Sequence, residues 1–141
     1  MGRIKQSQIT YWCHEIIRSQ AEAGGCYIDA TMGKGNDTLF LCELAGENGK
    51  VLAFDIQQEA LDATRELLRT HGKEQQAELI LDGHEHMGRY AMEESTDVIC
   101  FNFGYLPGGD HKLATTYQTS IEAIGKGLGI LKHGGMMSLC I

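Results

Sequence analysis

The chain has 141 residues, of which 43% are hydrophobic and 22% charged, and its net charge is −7. This length fits a single domain, residues 1–141, and the composition is typical of a globular protein. No apolar run is long enough to span a bilayer. The acidic balance disfavours broad, nonspecific binding to nucleic acid, although it leaves room for a small basic rim around a pocket.

Apolar runs alternate with helical patterns along the chain. The predicted strands are residues 26–30, 50–56, 77–82, 96–103 and, at the start of a fifth, 136–141. The predicted helices are residues 9–21, 37–46, 58–72 and 116–135, and a short polar helix or loop follows the third strand. Strands that alternate with helices favour an α/β fold, here a Rossmann-like, doubly wound parallel sheet with helices on both faces.

The first predicted helix carries several large apolar residues. Its periodicity predicts that Trp12, Ile16 and Ile17 lie on the buried side. Tyr11 and Trp12 are interpreted as core residues, in preference to a platform on which bases stack.

Each of the first four predicted strands ends in a polar residue: Asp29, Asp55, Asp82 and Asn102. The carboxyl ends of parallel strands meet at one edge of a sheet, where ligands bind near the switch in strand order. The first strand leads into YIDATMGKGNDT, residues 27–38, whose glycines lie between a strand and a helix. Such a bend brings the backbone close to a ligand and offers it the N–H groups of a helix N-terminus. The pattern predicts a nucleotide-type site.

At this stage the cofactor is either NAD or another molecule that contains a nucleoside. The dinucleotide pattern G-x-G-x-x-G is incomplete because its third glycine is replaced by Thr38, and the chain has no phosphate-loop motif. An NAD enzyme is therefore disfavoured without being excluded. In either case Asp55 is placed to accept hydrogen bonds from ribose hydroxyls, and Asp82, Gly83 and His84 are placed on the adenine side.

Four segments together resemble a known family: DATMGKGNDT, FDIQ, DGHE and NFGYLPGGDH. They are similar to the successive motifs of class I S-adenosylmethionine-dependent methyltransferases. More narrowly, they resemble a small bacterial family labelled rRNA methylases, whose members are understood to methylate the aminomethyl group of 5-aminomethyl-2-thiouridine at the tRNA wobble position. The resemblance implies S-adenosylmethionine as cofactor and tRNA, or another RNA, as partner. The cofactor-binding residues that it implies are Asp29, Thr31, Gly33, Lys34, Gly35, Asn36, Asp37, Thr38, Asp55, Ile56, Gln57, Asp82, Gly83, His84 and Asn102.

The same resemblance implies catalytic roles for Asn102, Tyr105 and His14. Asn102 can orient a target amine through its side-chain oxygen, and Tyr105 offers an aromatic face to a base or a developing cation. His14 either takes the proton, contacts substrate or lines the pocket structurally. The implied substrate-binding residues are Gly104, Tyr105, Leu106, Pro107, Asp110 and His111. The pair Asp110 and His111 is interpreted as a solvated turn slightly in preference to an acid–base pair.

Other features bound the prediction. The five cysteines are odd in number and never closely paired, which argues against a disulfide framework or a zinc site and suits a reducing cytoplasm. His84 and His86 are not expected to bind a metal, because H-x-H alone is common. No membrane association is expected, and homodimer formation is left open. An rRNA methyltransferase, an NAD(P)-dependent oxidoreductase and a non-catalytic cofactor-binding module are the alternatives to a tRNA methyltransferase.

The final residues, GGMMSLCI, read as the start of a fifth strand. The methyltransferase fold that the resemblance implies has two further strands. We therefore expect a sheet that lacks the last strands of the full fold, in a natural protein that continues beyond residue 141. A strand at 136–141 beside the strand that ends at Asn102 is the structural expectation that accompanies this hypothesis.

Overall fold

The computed structural model describes the backbone of residues 6–103 and 110–140 and the side chains of residues 8–103 and 117–140. The helices in these ranges are α1 (Gln6–Gln20), α2 (Asn36–Ala45), α3 (Gln58–Thr70) and α4 (Asp110–Ile130). The strands are β1 (Cys26–Asp29), β2 (Lys50–Asp55), β3 (Ala77–Leu81), β4 (Thr96–Asn102) and β5 (Leu131–Cys140). Short 3₁₀ helices, Glu74–Gln76 and His84–Arg89, precede and follow β3.

The five strands form one parallel sheet in the order β3-β2-β1-β4-β5. The chain winds from β1 towards β3 on one side and then returns to add β4 and β5 on the other. The order therefore switches between β1 and β4, which is where a doubly wound sheet opens a crevice at its carboxyl edge. The predicted α/β fold with a Rossmann-like parallel sheet is confirmed.

Two apolar clusters hold helices against opposite faces of the sheet. On one face, buried residues of α1, α2 and α3, including Ile17, Leu41 and Leu68, pack with Tyr27 of β1. On the other, Ala123 of α4 packs in a cluster with central-strand residues and with Met87 of the second 3₁₀ helix. Because both faces are covered, the central strands are apolar throughout and polar side chains concentrate where each strand ends.

The buried side of α1 differs from the prediction. Ile17 is buried, as expected, but Tyr11, Trp12 and Ile16 are 60%, 52% and 51% exposed, so the prediction of a core position was wrong for these three. The inward stripe is formed instead by residues at helical spacing that include polar side chains: Thr10, Cys13, His14, Ile17 and Ala21. The stripe of α1 that packs against the sheet is therefore less apolar than the exposed stripe that contains Tyr11, Trp12 and Ile16.

The boundary between α4 and β5 also differs. Residues 131–135 were predicted to be helical, yet the helix ends at Ile130 and the strand begins at Leu131. Thr96 pairs with Leu131 whereas Val98 pairs with Met136, so an irregularity in β5 accommodates the extra residues. The pairing of Asn102 with Cys140 confirms a fifth strand beside β4 through residue 140, and Ile141 lies outside the described residues. That the natural protein adds further strands stays a prediction.

Candidate active site

The turn after β1 is built around Asp29. We call residues 30–35 the glycine loop. The carboxylate of Asp29 is completely buried below this loop, and it accepts hydrogen bonds from the N–H of Thr31 at 3.1 Å and from the hydroxyl of Thr38 at 2.6 Å. Burial, with the nearby charge of Asp37, raises the pKa of Asp29 to about 7 despite these two donors. Asp29 therefore holds the loop to the first turn of α2.

The glycine loop also packs against α3. Gly35 precedes α2 with φ of +93°, a left-handed conformation that favours glycine. A Cβ on Gly35 would lie 2.8 Å from side-chain atoms of Thr64 and 3.0 Å from its Cα. The hydroxyl of Thr64 in turn donates to the carbonyl of Gly33 at 3.2 Å. The loop is thus fixed from below by Asp29 and from the side by Thr64.

Asp55 joins the loop to the end of β2. One carboxylate oxygen accepts the N–H of Gly33 at 3.1 Å and the other accepts the N–H of Gln57 at 2.9 Å. A carboxylate has about four acceptor positions, so these two bonds leave capacity for further donors. The side chain is only partly buried. This geometry suits a group that binds the hydroxyls of a ribose.

Beyond β3, Asp82 organises the second 3₁₀ helix. It accepts hydrogen bonds from the N–H of Gly83, from His86 Nδ1 at 2.7 Å and from the hydroxyl of Tyr90 at 2.8 Å. The bonds from His86 and Tyr90 lower the pKa of Asp82 to about 2, so the carboxylate is ionised at neutral pH. Most of its acceptor capacity is used within the protein.

His84 extends an aromatic surface from this helix towards β4. Its Nδ1 donates to the carbonyl of Ala30 at 3.0 Å, and its ring lies 5.7 Å from the ring of Phe101 and 6.4 Å from that of Phe103. Burial lowers the pKa of His84, which favours the neutral ring. The hydrogen bond and the neighbouring rings fix an uncharged, flat surface beside the glycine loop.

A second polar cluster lies on the other side of the loop. We call the cavity between α1, the start of α2 and the ends of β4 and β5 the α1–β5 pocket; its walls include Cys13, His14, Asp37, Asn102, Ser138 and Cys140. Nε2 of His14 lies 2.7 Å from Oδ1 of Asp37, and its ring stacks on Phe40 with centroids 3.8 Å apart. An ionised carboxylate only accepts, so Nε2 carries the hydrogen and Nδ1 is the basic nitrogen.

Asn102 connects the pocket to the glycine loop, because its N–H donates to the hydroxyl of Thr31 at 2.7 Å. The predicted rim is therefore real: the ends of β1, β2 and β4, with Asp82 directly after β3, lie along one edge of the sheet. His14, which α1 contributes to the α1–β5 pocket, lies at the same edge of the sheet.

The remaining predicted residues fall into two groups. Lys34, Asn36, Ile56 and Gln57 are exposed around the glycine loop and the start of α3, and Gly83 is half-buried. Gly104, Tyr105, Leu106 and Pro107 lie outside the described residues. The backbone of Asp110 and His111 forms the start of α4, so the interpretation of this pair as a turn was wrong; their side chains are not among those described.

Seven residues that line the pocket were not predicted as site residues: Thr10, Cys13, Ile17, Cys100, Phe101, Ser138 and Cys140. Cys13 is adjacent to His14 on the inward stripe of α1, so the stripe was a usable signal. Ser138 and Cys140 reach the pocket only through the pairing of β5 with β4.

Neither a metal centre nor a membrane helix emerges from the part of the chain that the structure describes. Residues 6–103 and 110–140 contain no group of three or more His, Cys, Asp or Glu side chains arranged to bind a metal. In the same ranges, no helix combines the length and the apolar composition that crossing a bilayer requires.

A family model described as "Putative rRNA methylase" matches residues 51–141. The chain belongs to this family. It is 34% identical to a protein named tRNA (mnm(5)s(2)U34)-methyltransferase, chloroplastic, from Arabidopsis thaliana, with 99% of this chain and 53% of that protein aligned. The chain thus spans about half the length of that curated relative.

Two solved structures of similar proteins share the fold. A "putative rRNA-methylase" from Clostridium thermocellum superposes with a TM-score of 0.83 at 39% identity, covering 96% of this chain and 72% of that one. A "putative methyltransferase" from Streptococcus mutans, solved in complex with SAH, gives a TM-score of 0.79 at 37% identity, covering 97% and 73% of the two chains. The predicted resemblance to methyltransferases of this family is confirmed.

Proposed function

We propose that this chain is an S-adenosylmethionine-dependent methyltransferase that acts on an amino group of a tRNA nucleoside. The target that we infer is the aminomethyl group of 5-aminomethyl-2-thiouridine at the wobble position. The observation that carries this proposal is the placement of two clusters at one sheet edge: the glycine loop with Asp55 on one side, and the α1–β5 pocket with His14 and Asn102 on the other. The name of the Arabidopsis relative and the SAH bound to the Streptococcus protein support it.

The first cluster fits the methyl donor. Asp55 retains acceptor capacity for the two ribose hydroxyls, while His84 and Phe103 offer flat, uncharged rings to the adenine. The donor has a net positive charge at neutral pH, which suits a rim that also carries Asp37 and Asp82. When bound, the donor supplies a methyl group on a sulfonium, and transfer depends mainly on how its partner is positioned.

The predicted cofactor-binding residues fall into two groups in this proposal: some touch the methyl donor, and others only hold the glycine loop in place. The proposed contacts are Asp55, the exposed loop residue Lys34 and the exposed first residue of α2, Asn36. Asp29 is completely buried and both its oxygens accept bonds from the loop region, so we assign it to holding the glycine loop in place of a direct contact. Thr38, also buried, acts with it.

The second cluster suits an amine. A primary amine attacks as the neutral base, and its nitrogen carries a surplus proton after the methyl group has been added. Asn102 orients the amine by accepting a hydrogen bond through Oδ1. Nδ1 of His14 is the proton acceptor, because Asp37 fixes the hydrogen on Nε2 and stabilises the charged ring that results.

The net charge of −7 constrains how RNA binds. A protein with that balance gains little from nonspecific attraction to phosphates, so recognition rests on the nucleoside at the pocket and on a limited basic surface. We further propose that the substrate is cytoplasmic tRNA, because the reducing environment of the cytoplasm suits five free thiols.

An rRNA methyltransferase is the second candidate, since the Clostridium structure and the matching family both bear that description. Nucleoside mass spectrometry distinguishes the two. The protein is incubated with methyl-labelled S-adenosylmethionine and either tRNA that carries 5-aminomethyl-2-thiouridine, the same tRNA with plain uridine at that position, or ribosomal RNA. We expect label in the aminomethyl nucleoside alone. Label in rRNA, with none in either tRNA, would replace the proposal by the second candidate.

Calorimetry tests the cofactor independently of the substrate. We expect saturable binding of S-adenosylmethionine and no binding of NAD. The opposite preference would favour an oxidoreductase. Binding of S-adenosylmethionine without transfer to any RNA would indicate a non-catalytic module.

A further inference from the structure

Two thiols that the proposed reaction does not use face each other in the α1–β5 pocket. Sγ of Cys13 on α1 lies 3.2 Å from Sγ of Cys140 on β5, although the residues are 127 positions apart in sequence. Both side chains are partly buried. The other three cysteines differ from this pair: Cys26 is exposed at the start of β1, and Cys42 and Cys100 are buried.

We propose that Cys13 and Cys140 form a reversible disulfide when the protein meets hydrogen peroxide. The bonded distance between two sulfurs is about 2.05 Å, so the pair has to approach by roughly 1 Å. Movements of that size are within the reach of side-chain rotation in a wall that borders a cavity. The pair is thus a modification site built from two distant segments of the chain.

The proposed bond forms in two chemical steps. Burial and the adjacent Cys13 raise the pKa of Cys140 to about 11, so Cys140 stays protonated at neutral pH. In the proposed first step the sulfur of Cys13, as a thiolate, attacks the peroxide; the O–O bond breaks, Cys13 becomes a sulfenic acid and hydroxide is released. The sulfur of Cys140 then attacks the sulfenic sulfur and expels a second hydroxide. The two thiol protons convert both hydroxides to water, so two thiols and one peroxide give one disulfide and two waters.

The bond would act on the site because of its neighbours. His14 follows Cys13 directly on α1, and Cys140 is paired with Asn102 at the end of β4. A covalent link between α1 and β5 therefore draws together the two walls that carry the proposed proton acceptor and the proposed amine-orienting group. This consequence rests on the proposed function, whereas formation of the bond does not.

The test of the bond uses the whole protein without RNA. The reduced protein is treated with hydrogen peroxide, denatured, alkylated and digested. We expect two of its five thiols to become protected from alkylation, with the loss of two hydrogen atoms in mass and a peptide that links Cys13 to Cys140. Dithiothreitol should restore both thiols. Cys26→Ser is the matched control, because it removes an exposed thiol at the opposite end of the sheet and should leave the link intact.

Two single variants identify the intermediate. Cys140→Ser should leave a sulfenic acid on Cys13 that dimedone traps, and Cys13→Ser should give neither the link nor the trapped acid. The inference is overturned if Cys26 is oxidised while Cys13 and Cys140 remain open to alkylation, or if the links that form join different molecules.

Activity supplies the second readout. Methyl transfer by the oxidised protein should fall at least tenfold and recover with dithiothreitol, and the treated and untreated Cys13→Ser proteins should match each other. A link that forms without lowering methyl transfer would overturn the controlling role. If no RNA is ever methylated, the peptide link still tests the bond, so the two proposals fail separately.

Discussion

Gly35→Ala measures how tightly the glycine loop is packed. The new methyl group has two costs. At φ of +93°, an L side chain costs about 1–2 kcal/mol relative to glycine. The added Cβ also meets Thr64, whose Cα would be only 3.0 Å away and cannot rotate aside. Forcing such a contact typically costs about 1–3 kcal/mol.

The two terms together predict a loss of about 2–5 kcal/mol in the free energy of unfolding. Gly72→Ala is the control, because Gly72, just after α3, also has a positive φ, +68°, but a Cβ there would meet nothing within 4 Å. It should lose only the strain of about 1–2 kcal/mol. Urea unfolding of the three proteins gives both differences. Calorimetry under conditions in which all three are folded should show at least tenfold weaker S-adenosylmethionine binding for Gly35→Ala, since Thr64 and Gly33 must separate.

Equal destabilisation by the two substitutions would refute this reasoning, because backbone strain is common to both and the contact with Thr64 is not. A Gly35→Ala protein could be destabilised as expected and still bind S-adenosylmethionine with unchanged affinity. That result would support the packing argument and contradict a role of the loop in cofactor binding.

Three further predictions concern the carboxylates and the amide of the rim. Asp55→Ala should weaken S-adenosylmethionine binding at least tenfold in calorimetry, because charge-assisted hydrogen bonds contribute about 1.5–3 kcal/mol each; unchanged affinity in a folded variant would contradict the ribose assignment. Asn102→Ala should lower kcat far more than cofactor affinity, since its proposed partner is the target amine. Wild-type kinetics in this variant would show that Asn102 has no role in the reaction. Asp29→Asn should change how stability depends on pH. The folded pKa of about 7 lies above the ordinary 3.8, so the folded protein retains a proton that the unfolded chain releases; stability from this group is full below pH 3.8 and is lost as the pH rises through 7. Urea unfolding between pH 4 and 8 should therefore show a shallower decline for the variant than for the wild type, and parallel curves would show that Asp29 does not titrate in this way.

The sequence predicted one half of the site much better than the other. The ends of β1, β2 and β3 could be read directly, because an acidic residue ends β1 and β2 and directly follows β3, each time after a short apolar run. The function of Asp29 could not be read in this way: its place at a strand end was visible, but the direction of its side chain, below the loop, was not. Whether a residue touches the cofactor or only holds the glycine loop in place depends on how its side chain packs in the folded protein.

The second half depends on how distant segments dock. Tyr11, Trp12 and Ile16 form a stripe on α1 as regular as the one that includes Cys13 and His14, and it is more apolar. Which stripe meets the sheet is decided by the tertiary structure, where the pocket accepts polar side chains. In the same way, Ser138 has no local feature that marks it, and its role appears only once β5 pairs with β4.

The strand order has a consequence for how the protein folds. β1, β2 and β3 are neighbours both in sequence and in the sheet, so their pairing closes only short loops. β1 meets β4 across a much longer separation, from Tyr27 to Val98, and the contact between Cys13 and Cys140 closes nearly the whole chain. Contacts between distant segments form late because closing a longer loop costs more conformational entropy. The strands β1, β2 and β3 should therefore gain protection from hydrogen exchange early during refolding, and the α1–β5 pocket should be the last part to become ordered.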